Sequence, residues 1–362
     1  MESLVTDQPW RGKRVFLTGH TGFKGSWLAL WLADLGAEVT GYSLPAPTEP
    51  SLFDQAQVAG VLERDIRGDV RDLESLRAAI VAARPEMVFH LAAQPLVRYS
   101  YVEPVETYAT NVMGTVHLLE ACRSVDSVKA IVCITSDKCY ENREWVWPYR
   151  ENDPMGGYDP YSSSKGAAEL VINAYRQSFF GQGAAIASVR AGNVIGGGDW
   201  AADRLVPDIV RALDAGDRPM IRSPGSVRPW QHVLEALGGY LMIADRLLAG
   251  DRTAATGWNF GPADDDTRPV SWIVERMLDE WGAVGWDRPD GEQPHEAKLL
   301  TLDCSKARRE LGWRPAMGLG QALSKVVEWH QSVAKGMSAR DVTLGQLREY
   351  RTALAAKLME RN

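Results

Sequence analysis

The sequence of 362 residues has few of the residues that build disulfide frameworks and metal sites, with four cysteines and six histidines. The cysteines, Cys122, Cys133, Cys139 and Cys304, form no CxxC pair and have no histidine-rich neighbourhood of zinc spacing. This scatter is typical of a protein from a reducing compartment. We therefore expect no metal site.

The sequence also lacks the segments that direct proteins to membranes. No stretch approaches the roughly 20 apolar residues that a membrane helix needs. Met1 to Trp10 does not have the cationic part followed by an apolar part that marks a secretory signal. We expect a cytoplasmic protein that does not bind membranes.

Positive charge is in deficit, with 40 basic against 47 acidic residues and a net charge of -7. General nucleic-acid binding needs a basic face that contacts many phosphates, so we exclude it. Taken alone, the charge also argues against an anionic ligand. The hydrophobic content of 45% and the length suit a folded enzyme of two domains.

From Arg14 to about Arg190, short apolar runs alternate with helical patterns, which predicts an α/β fold with a parallel sheet covered by helices. Helices are predicted at Phe23 to Leu35 and at Asp72 to Ala83, and a terminal amphipathic helix at Ala339 to Leu358. The predicted strands are Arg14–Thr18, Glu38–Tyr42, Gly68–Val70, Met87–Leu91, Ala130–Thr135 and Ala185–Arg190.

A glycine-rich turn follows the first predicted strand and opens the first predicted helix. Its glycines, Gly19, Gly22 and Gly25, are spaced G-x-x-G-x-x-G. Glycines allow a sharp turn and a close approach to a pyrophosphate, whose charge then lies at the helix N-terminus. The pattern predicts a dinucleotide-binding loop, and its predicted cofactor-binding residues are Gly19, Thr21, Gly22, Phe23, Lys24 and Gly25.

The second predicted strand does not provide the acidic residue that usually holds the adenosine ribose about 20 positions after the loop. It ends Thr40-Gly41-Tyr42-Ser43, so this criterion leaves the choice between NAD and NADP open. Asp69 is instead a candidate for binding the adenine amino group.

Tyr161 and Lys165 lie four residues apart at the start of a helical stretch, so both side chains project from one face. An ammonium beside a phenol favours the phenolate and lowers the tyrosine pKa from its ordinary value near 10. Such a tyrosine can act as a general base toward a substrate hydroxyl at neutral pH.

Six stretches spread over nearly the whole chain carry a resemblance to a known family. They are Thr18–Gly25, Gly68–Val70, His90–Pro95, Thr110–Thr115, Tyr161–Lys165 and Ser305–Trp313. On these motifs the chain resembles the extended short-chain dehydrogenases/reductases, which are nucleotide-sugar enzymes. The resemblance implies a Rossmann-type doubly wound parallel sheet with a smaller, discontinuous C-terminal substrate lobe. We place the Rossmann domain at 1–190 and 231–261, and the substrate lobe at 191–230 and 262–362.

Three more stretches resemble the 4,6-dehydratases of that family: Ile134–Tyr140, Arg190–Trp200 and Arg228–Val233. This resemblance implies NAD as cofactor and CDP-glucose as the nucleotide-sugar substrate. It further implies that Tyr161 takes the C4 hydroxyl proton, that Ser136 binds the same oxygen, and that Lys165 lowers the Tyr161 pKa and binds the nicotinamide ribose. Asp137 protonates the departing C6 hydroxyl, for which burial must raise its pKa.

The base that removes the C5 proton is less defined, because Lys138 stands where related dehydratases carry a glutamate. A lysine acts as a base only when neutral; Lys138 is our choice. The resemblance implies two further sets of residues. The remaining cofactor-binding residues are Asp69, Val70, Leu91, Ala92, Ala93 and Thr110, and the substrate-binding residues are Gln94, Asn193, Arg204, Arg228 and His232. Asn111 joins the hydrogen bonds of the site, and Trp200 borders the substrate cleft.

Two other functions share most of these features. A nucleotide-sugar 4-epimerase has the same loop and Tyr161/Lys165 pair but needs no acid for water loss, so Asp137 favours dehydration. A non-catalytic NAD(P)-binding regulator commonly loses the tyrosine or the lysine, and both are present here. The resemblance also implies a homodimer or a dimer of dimers, paired through Glu103–Val125 and Tyr161–Phe180.

Overall fold

A sheet of seven parallel strands forms the centre of the computed structural model, which describes residues 9–263, 266–289 and 299–359. Its strands are β1 (Arg14–Thr18), β2 (Glu38–Ser43), β3 (Arg64–Arg67), β4 (Met87–His90), β5 (Ala130–Ile134), β6 (Ala185–Ala191) and β10 (Gly257–Phe260). They are arranged in the order β10-β6-β5-β4-β1-β2-β3. The predicted doubly wound parallel sheet is therefore confirmed.

Helices cover both faces of this sheet, because alternate strand residues point to opposite sides. The helices on this part of the chain are α1 (Phe23–Asp34), α2 (Leu52–Gln55), α3 (Leu73–Ala83), α4 (Val97–Val102), α5 (Pro104–Tyr108), α6 (Gly114–Arg123), α7 (Pro160–Ser178) and α9 (Val233–Leu248). Val15 and Leu17 pack into a core with α1 and α9, while Phe16 packs into a second core with α3, α6 and α7. Short 3-10 helices lie at Val58–Val61, Asp137–Cys139 and Arg252–Ala254, and a π-helix at Ala109–Met113.

A smaller lobe has a third apolar core between α8 (Leu205–Asp214), α10 (Val270–Trp281) and α11 (Leu319–Ala334). Two short sheets accompany it. In one, β7 (Asn193–Ile195) is parallel to β9 (Trp230–His232); in the other, β8 (Val227–Arg228) is antiparallel to β11 (Arg268–Pro269). A π-helix at Ala307–Leu311 precedes α11. None of the helices in the described ranges has the length and apolar character to cross a membrane.

The C-terminal helix α12 (Ala339–Met359) contacts both parts of the chain. Its Tyr350 is buried against Trp31 of α1, and its Arg351 contacts Asp34 at the end of α1, 3.0 Å from Nη1 to Oδ2. Its Thr343 hydroxyl accepts from Trp329 Nε1 of α11 at 2.9 Å. The helix therefore joins α1 to α11, and the division of the chain into two domains stays a prediction.

The third strand also differs from its prediction at Gly68–Val70. The strand is Arg64–Arg67, an edge strand whose mostly exposed charged residues give no apolar signal. Gly68 follows this strand at a position that only glycine fits, because a Cβ there would lie 2.3 Å from the ring of Tyr42. Strand β10, which holds the opposite edge, was not among the predicted strands.

Candidate active site

The carboxyl ends of the parallel strands meet at one edge of the sheet, where α/β proteins bind their ligands. The glycine loop follows β1 at this edge and is tightly packed. Gly19 has φ +76, and a Cβ on it would lie 2.6 Å from the nitrogen of Ala92; a Cβ on Gly25 would lie 2.0 Å from the Gly19 oxygen. Gly22 is the N-cap residue directly before α1, and no side chain caps the helix. The loop therefore leaves its backbone and the helix N-terminus open to a ligand.

Two other loop residues have distinct surroundings. The Thr21 hydroxyl is 2.8 Å from that of Ser43 and donates to the Leu44 oxygen at 2.9 Å, so it ties the loop to β2. Lys24 lies in the first turn of α1, where burial and the charge of Arg204 together lower its pKa to about 8. Asp137 opposes that shift, which places Lys24 among the charged groups of the site.

The predicted adenine residue, Asp69, is half-buried beside Arg71. Its carboxylate accepts hydrogen bonds from the Arg71 backbone nitrogen, from Nε and from Nη2. Burial raises the Asp69 pKa, but these bonds outweigh it, so the pKa lies below its ordinary value. Val70 packs under Gly114, where a Cβ would lie 2.8 Å from its side chain.

The next predicted cofactor residues, Leu91, Ala92 and Ala93, follow β4 and are part-exposed at the same edge. The backbone nitrogen of Ala92 donates to the Thr18 hydroxyl at 3.2 Å, which fixes this segment to β1. Thr110 is part-exposed in the π-helix.

Residues 136–140, which we call the β5 turn, bring the predicted acid and base to this edge. The Ser136 hydroxyl donates to Asp137 Oδ1 at 3.0 Å and accepts from the backbone nitrogen of Lys138 at 3.2 Å. Burial raises the pKa of Asp137 above its ordinary value, and the nearby charge of Lys138 only partly offsets this. The prediction that burial raises the pKa of Asp137 is confirmed. Lys138 is part-exposed.

Tyr161 and Lys165 project from the first turns of α7, which begins after the capping carboxylate of Asp159. Burial raises the pKa of Tyr161 to about 12, although a hydrogen bond with Ser136 opposes the rise. Burial lowers the pKa of Lys165 to about 8, and its Nζ donates to the Ile134 oxygen at 3.3 Å. The predicted net lowering of the Tyr161 pKa is therefore wrong for this structure, because burial of the phenol outweighs its polar contacts.

Asn111 and Gln94 are joined by hydrogen bonds next to the site. The Asn111 amide accepts from the Gln94 backbone nitrogen at 2.8 Å and donates to the Ser164 hydroxyl at 2.9 Å. The Gln94 side chain donates to Thr107 and accepts from the Leu96 nitrogen. Both ends of the Gln94 amide are thus engaged within the protein and support the loop after β4, while its contact with substrate stays a prediction.

The remaining substrate residues fall into two groups. Asn193, Arg204 and Arg228 are part-exposed on the lobe side, and Arg204 Nη1 lies 3.1 Å from Asp199 Oδ2. His232 is fully buried: its Nδ1 accepts from the Leu234 nitrogen at 3.3 Å, which caps α9. The Nε2 of this ring is buried and has no hydrogen-bond partner among the described residues, and the role of His232 in substrate binding stays a prediction.

Trp200 is half-buried between the Gln55 side chain, to which its Nε1 donates at 2.9 Å, and the ring of His330. The glycines before it, Gly196 to Gly198, are closely packed. A Cβ on Gly197 would lie 2.0 Å from the Trp329 ring, so the absence of a side chain allows α11 to approach the short sheet of β7 and β9.

Two polar residues next to the site had not been recognised from the sequence. Glu169 and Arg190 form a buried ion pair, 2.8 Å between Oε2 and Nη2. The available signals were an arginine in an otherwise apolar strand and a glutamate four residues after Lys165 on one helix face.

A glycine loop between β1 and α1, a serine after β5 and a Tyr161/Lys165 pair on α7 define a short-chain dehydrogenase/reductase domain, here with a second lobe. Residues 16–326 match the family model described as GDP-mannose 4,6 dehydratase. The chain belongs to this family.

Individual relatives agree with this assignment. The chain is 56% identical to the CDP-glucose 4,6-dehydratase of Salmonella typhimurium over 97% of this chain and 99% of that one. It is 28% identical to the dTDP-glucose 4,6-dehydratase of Streptomyces antibioticus, over 88% and 92%. Among solved structures, the dTDP-glucose 4,6-dehydratase of Streptomyces venezuelae with NAD bound superposes with a TM-score of 0.76 at 25% identity, covering 88% of this chain and 97% of that one.

Proposed function

We propose that the protein converts CDP-D-glucose to CDP-4-dehydro-6-deoxy-D-glucose and water, with NAD as cofactor, and is thus a hydro-lyase of deoxysugar biosynthesis. The similarity to the Salmonella enzyme over nearly the full length of both chains supports the substrate. The observation that carries the dehydration chemistry is Asp137, a buried carboxyl group with a raised pKa, hydrogen-bonded to Ser136. An epimerase has no step that needs this acid.

The residues at the sheet edge fit a dinucleotide. The glycine loop offers backbone without side chains, the α1 N-terminus has no side-chain cap, and Lys24 adds a cation. Lys165 is proposed to bind the nicotinamide ribose, and the part-exposed residues Leu91 to Ala93 after β4 are proposed to contact the cofactor. When bound, NAD accepts a hydride from C4 of the sugar and returns it to C6.

Oxidation at C4 requires a base for the hydroxyl proton. Tyr161 is the proposed base, and Ser136 holds the same oxygen. A phenol with a pKa near 12 is protonated at neutral pH, so its proton transfer depends on the positive charges beside it. Arg204 already lowers the Tyr161 pKa in this structure, and Lys165 and Lys24 lie in the same cluster.

Loss of water follows from the acidity of C5 next to the C4 ketone. We assign removal of the C5 proton to Lys138 and protonation of the C6 hydroxyl to Asp137, so that oxygen leaves C6 as water. The C4 oxidation and the C6 reduction balance, and the product differs from the substrate by one water. Lys138→Ala should abolish exchange of the C5 proton with deuterium from solvent; retained exchange would exclude Lys138 as the base.

Three part-exposed residues of the lobe side are proposed to bind the nucleotide sugar: Asn193, Arg204 and Arg228. Arginine forks match the geometry of a diphosphate. The Asp199 carboxylate, 3.1 Å from Arg204, fixes that side chain at the edge of the cleft.

The function is tested by incubating purified protein with CDP-glucose and NAD, and following the alkali-induced absorbance of a 4-keto-6-deoxy sugar. Asp137→Asn serves as the control, since it preserves the side-chain shape but lacks an acidic proton. Parallel reactions with dTDP- and GDP-sugars test the nucleobase. Formation of a C4 epimer would identify an epimerase, and no product from any sugar would refute the dehydratase.

The proposed assembly is a homodimer or a dimer of dimers in the cytoplasm. Apolar side chains are exposed on Glu103–Val125 and on Tyr161–Phe180, the two segments that the sequence predicts to pair. They are Val105 and Met113 on the first segment and Leu170 and Phe179 on the second, and Tyr101 and Val102 lie just before the first. Their exposed fractions of 46 to 80% are unusual for apolar side chains on packed helices and support burial against a second copy.

A further inference from the structure

A buried ion pair joins α7 to β6 next to the β5 turn. Arg190 donates to Glu169 through both Nε, 2.9 Å from Oε1, and Nη2, 2.8 Å from Oε2. Their side chains are only 6% and 4% exposed. Removing two charges from water is costly, and such a pair often adds no net stability compared with apolar packing. A role in fixing local geometry is a physical reason for keeping it.

The same pair holds the chain at both ends of the β5 turn. Thr135, directly before the turn, donates from Oγ1 to Glu169 Oε1 at 2.5 Å. Tyr140, the last residue of the turn, accepts at its hydroxyl from Arg190 Nη1 at 2.6 Å, and donates to Asn259 at 2.7 Å. The residues assigned to acid and base chemistry lie between these two attachments.

Glu169 is also the anion that faces Lys165 from the same helix. Burial would raise the Glu169 pKa, but Arg190 and the hydrogen bonds of Thr135 and Ser188 outweigh it and keep the carboxyl ionised. The other titratable groups near Lys165 in the described part of the chain are Tyr161 one turn earlier on α7, the thiols of Cys133 and Cys139, His90 and Lys24. Burial raises the pKa of Tyr161 to about 12, so its phenol is neutral. Burial keeps both thiols protonated and the imidazole neutral, and Lys24 is a cation.

We propose that the Glu169–Arg190 pair is a positioning device for the reaction, which holds Ser136 and Asp137 in register with Tyr161 by fixing both ends of the β5 turn. The inference rests on the proposed dehydratase function for its kinetic consequences. The turn follows the sheet edge as a single 3-10 helix, Asp137–Cys139, and needs external attachments to keep one geometry. A displacement of about 1 Å in such a group can cost on the order of a hundredfold in rate.

A matched pair of substitutions tests this idea. Thr135→Val and Ser188→Ala each remove one hydroxyl that donates to Glu169, at 2.5 Å and 2.7 Å respectively. Only Thr135 is attached to the turn; Ser188 lies within β6. We expect Thr135→Val to lower kcat about tenfold or more with little change in KM, and Ser188→Ala to leave kcat within about twofold. Equal loss of kcat in both would overturn the proposal.

Hydrogen exchange provides a readout that does not require activity. The backbone nitrogens of Lys138 and Cys139 donate to Ser136 within the turn, at 3.2 Å each. In Thr135→Val these amides should exchange several-fold faster than in the natural protein, and in Ser188→Ala at the natural rate. If the natural protein dehydrates no sugar, the proposed function is refuted, but the difference in exchange between the two variants still tests the positioning role of the Glu169–Arg190 pair. Unchanged exchange in Thr135→Val would refute that positioning role.

Glu169→Gln adds a pH profile that a merely structural role would not move. Loss of the anion lowers the pKa of Lys165, so the alkaline limb of kcat/KM should shift by about one unit toward lower pH. Thr135→Val retains that anion and should not move the limb. An unshifted limb in folded Glu169→Gln contradicts a role of the Glu169 charge toward Lys165 and leaves the pair with no measurable influence on the chemistry through that lysine. If this variant does not fold, the exchange experiment decides the positioning role.

Discussion

Glu235 gives the structure a strongly pH-dependent contact, and its strength can be worked out. The residue lies in the first turn of α9 and is fully buried. One carboxylate oxygen accepts from the backbone nitrogens of Ala316 and Met317 at 2.8 and 2.6 Å, and the other from the Tyr350 hydroxyl at 3.0 Å. Burial raises the pKa of Glu235 to about 8, and these hydrogen bonds offset only part of the rise.

The sign of the effect follows from proton uptake. An unfolded glutamate has a pKa of about 4.3, so between that value and about 8 the native state binds more protons at this site. The stabilisation is complete below the unfolded pKa and is lost as the pH rises through the folded pKa. A shift of between three and four units corresponds to a loss on the order of 5 kcal/mol at most.

We predict that Glu235→Gln removes this dependence, because the amide still accepts from both backbone nitrogens but does not ionise. About two pH units of this loss, on the order of 2.7 kcal/mol, lie between pH 6 and the folded pKa. Thermal unfolding should therefore show the Tm of the natural protein falling by about 3 to 4 °C between pH 6 and pH 9 relative to the variant. The variant should be the more stable protein at pH 9. Asp245, whose pKa burial raises to about 7, adds a slope that is common to both proteins and cancels in the comparison. Parallel Tm curves would refute the reasoning.

Four further predictions concern the site and the assembly. Asp137→Asn should slow water loss by about a hundredfold or more while C4 oxidation continues, so reduced cofactor accumulates and is visible by absorbance. Tyr161→Phe should prevent that reduction, and reduction at the natural rate would contradict its role as base. Gly25→Ala should abolish cofactor binding measured by calorimetry, since its Cβ would lie 2.0 Å from a backbone oxygen, whereas Gly320→Ala, with nothing within 4 Å, should bind normally. Val105→Asp, at a residue 80% exposed, should halve the mass measured by light scattering, and an unchanged mass would place the interface elsewhere.

The strands that could be predicted from the sequence are those buried on both faces. β1, β5 and β6 are nearly continuous apolar runs, which is the pattern of a parallel sheet. Strand β3 could not be recognised because its residues Arg64, Asp65 and Arg67 lie at an exposed edge. Strand β10 is four residues long and separated from its neighbour β6 by the whole lobe segment, so only the tertiary pairing identifies it.

For the site, motifs predicted positions well and side-chain directions less well. Asp137 and Tyr161 come together because two motifs follow adjacent elements at one sheet edge. His232 is the last residue of β9 and belongs to a motif as well, and its ring lies against Trp27 of α1, 5.8 Å between ring centroids. A motif match does not predict the orientation of a side chain, since this orientation depends on packing between segments that are distant in the sequence. The hydrogen bonds of Glu169 to Thr135, Ser188 and Arg190 could not be predicted for the same reason.

The net charge of -7 is a property of the surface and not of the cleft. Charges on the surface are screened over about 8 Å at physiological salt, whereas buried charges act at short range with little screening. Lys24, Lys165 and Arg204 cluster at the sheet edge, and burial already lowers the pKa of both lysines to about 8. Positive charge that is this poorly solvated is stabilised by an anion more than by water. An acidic protein can therefore bind phosphate-bearing ligands through a few cations, provided that the fold gathers those cations at one place and shields them partly from solvent.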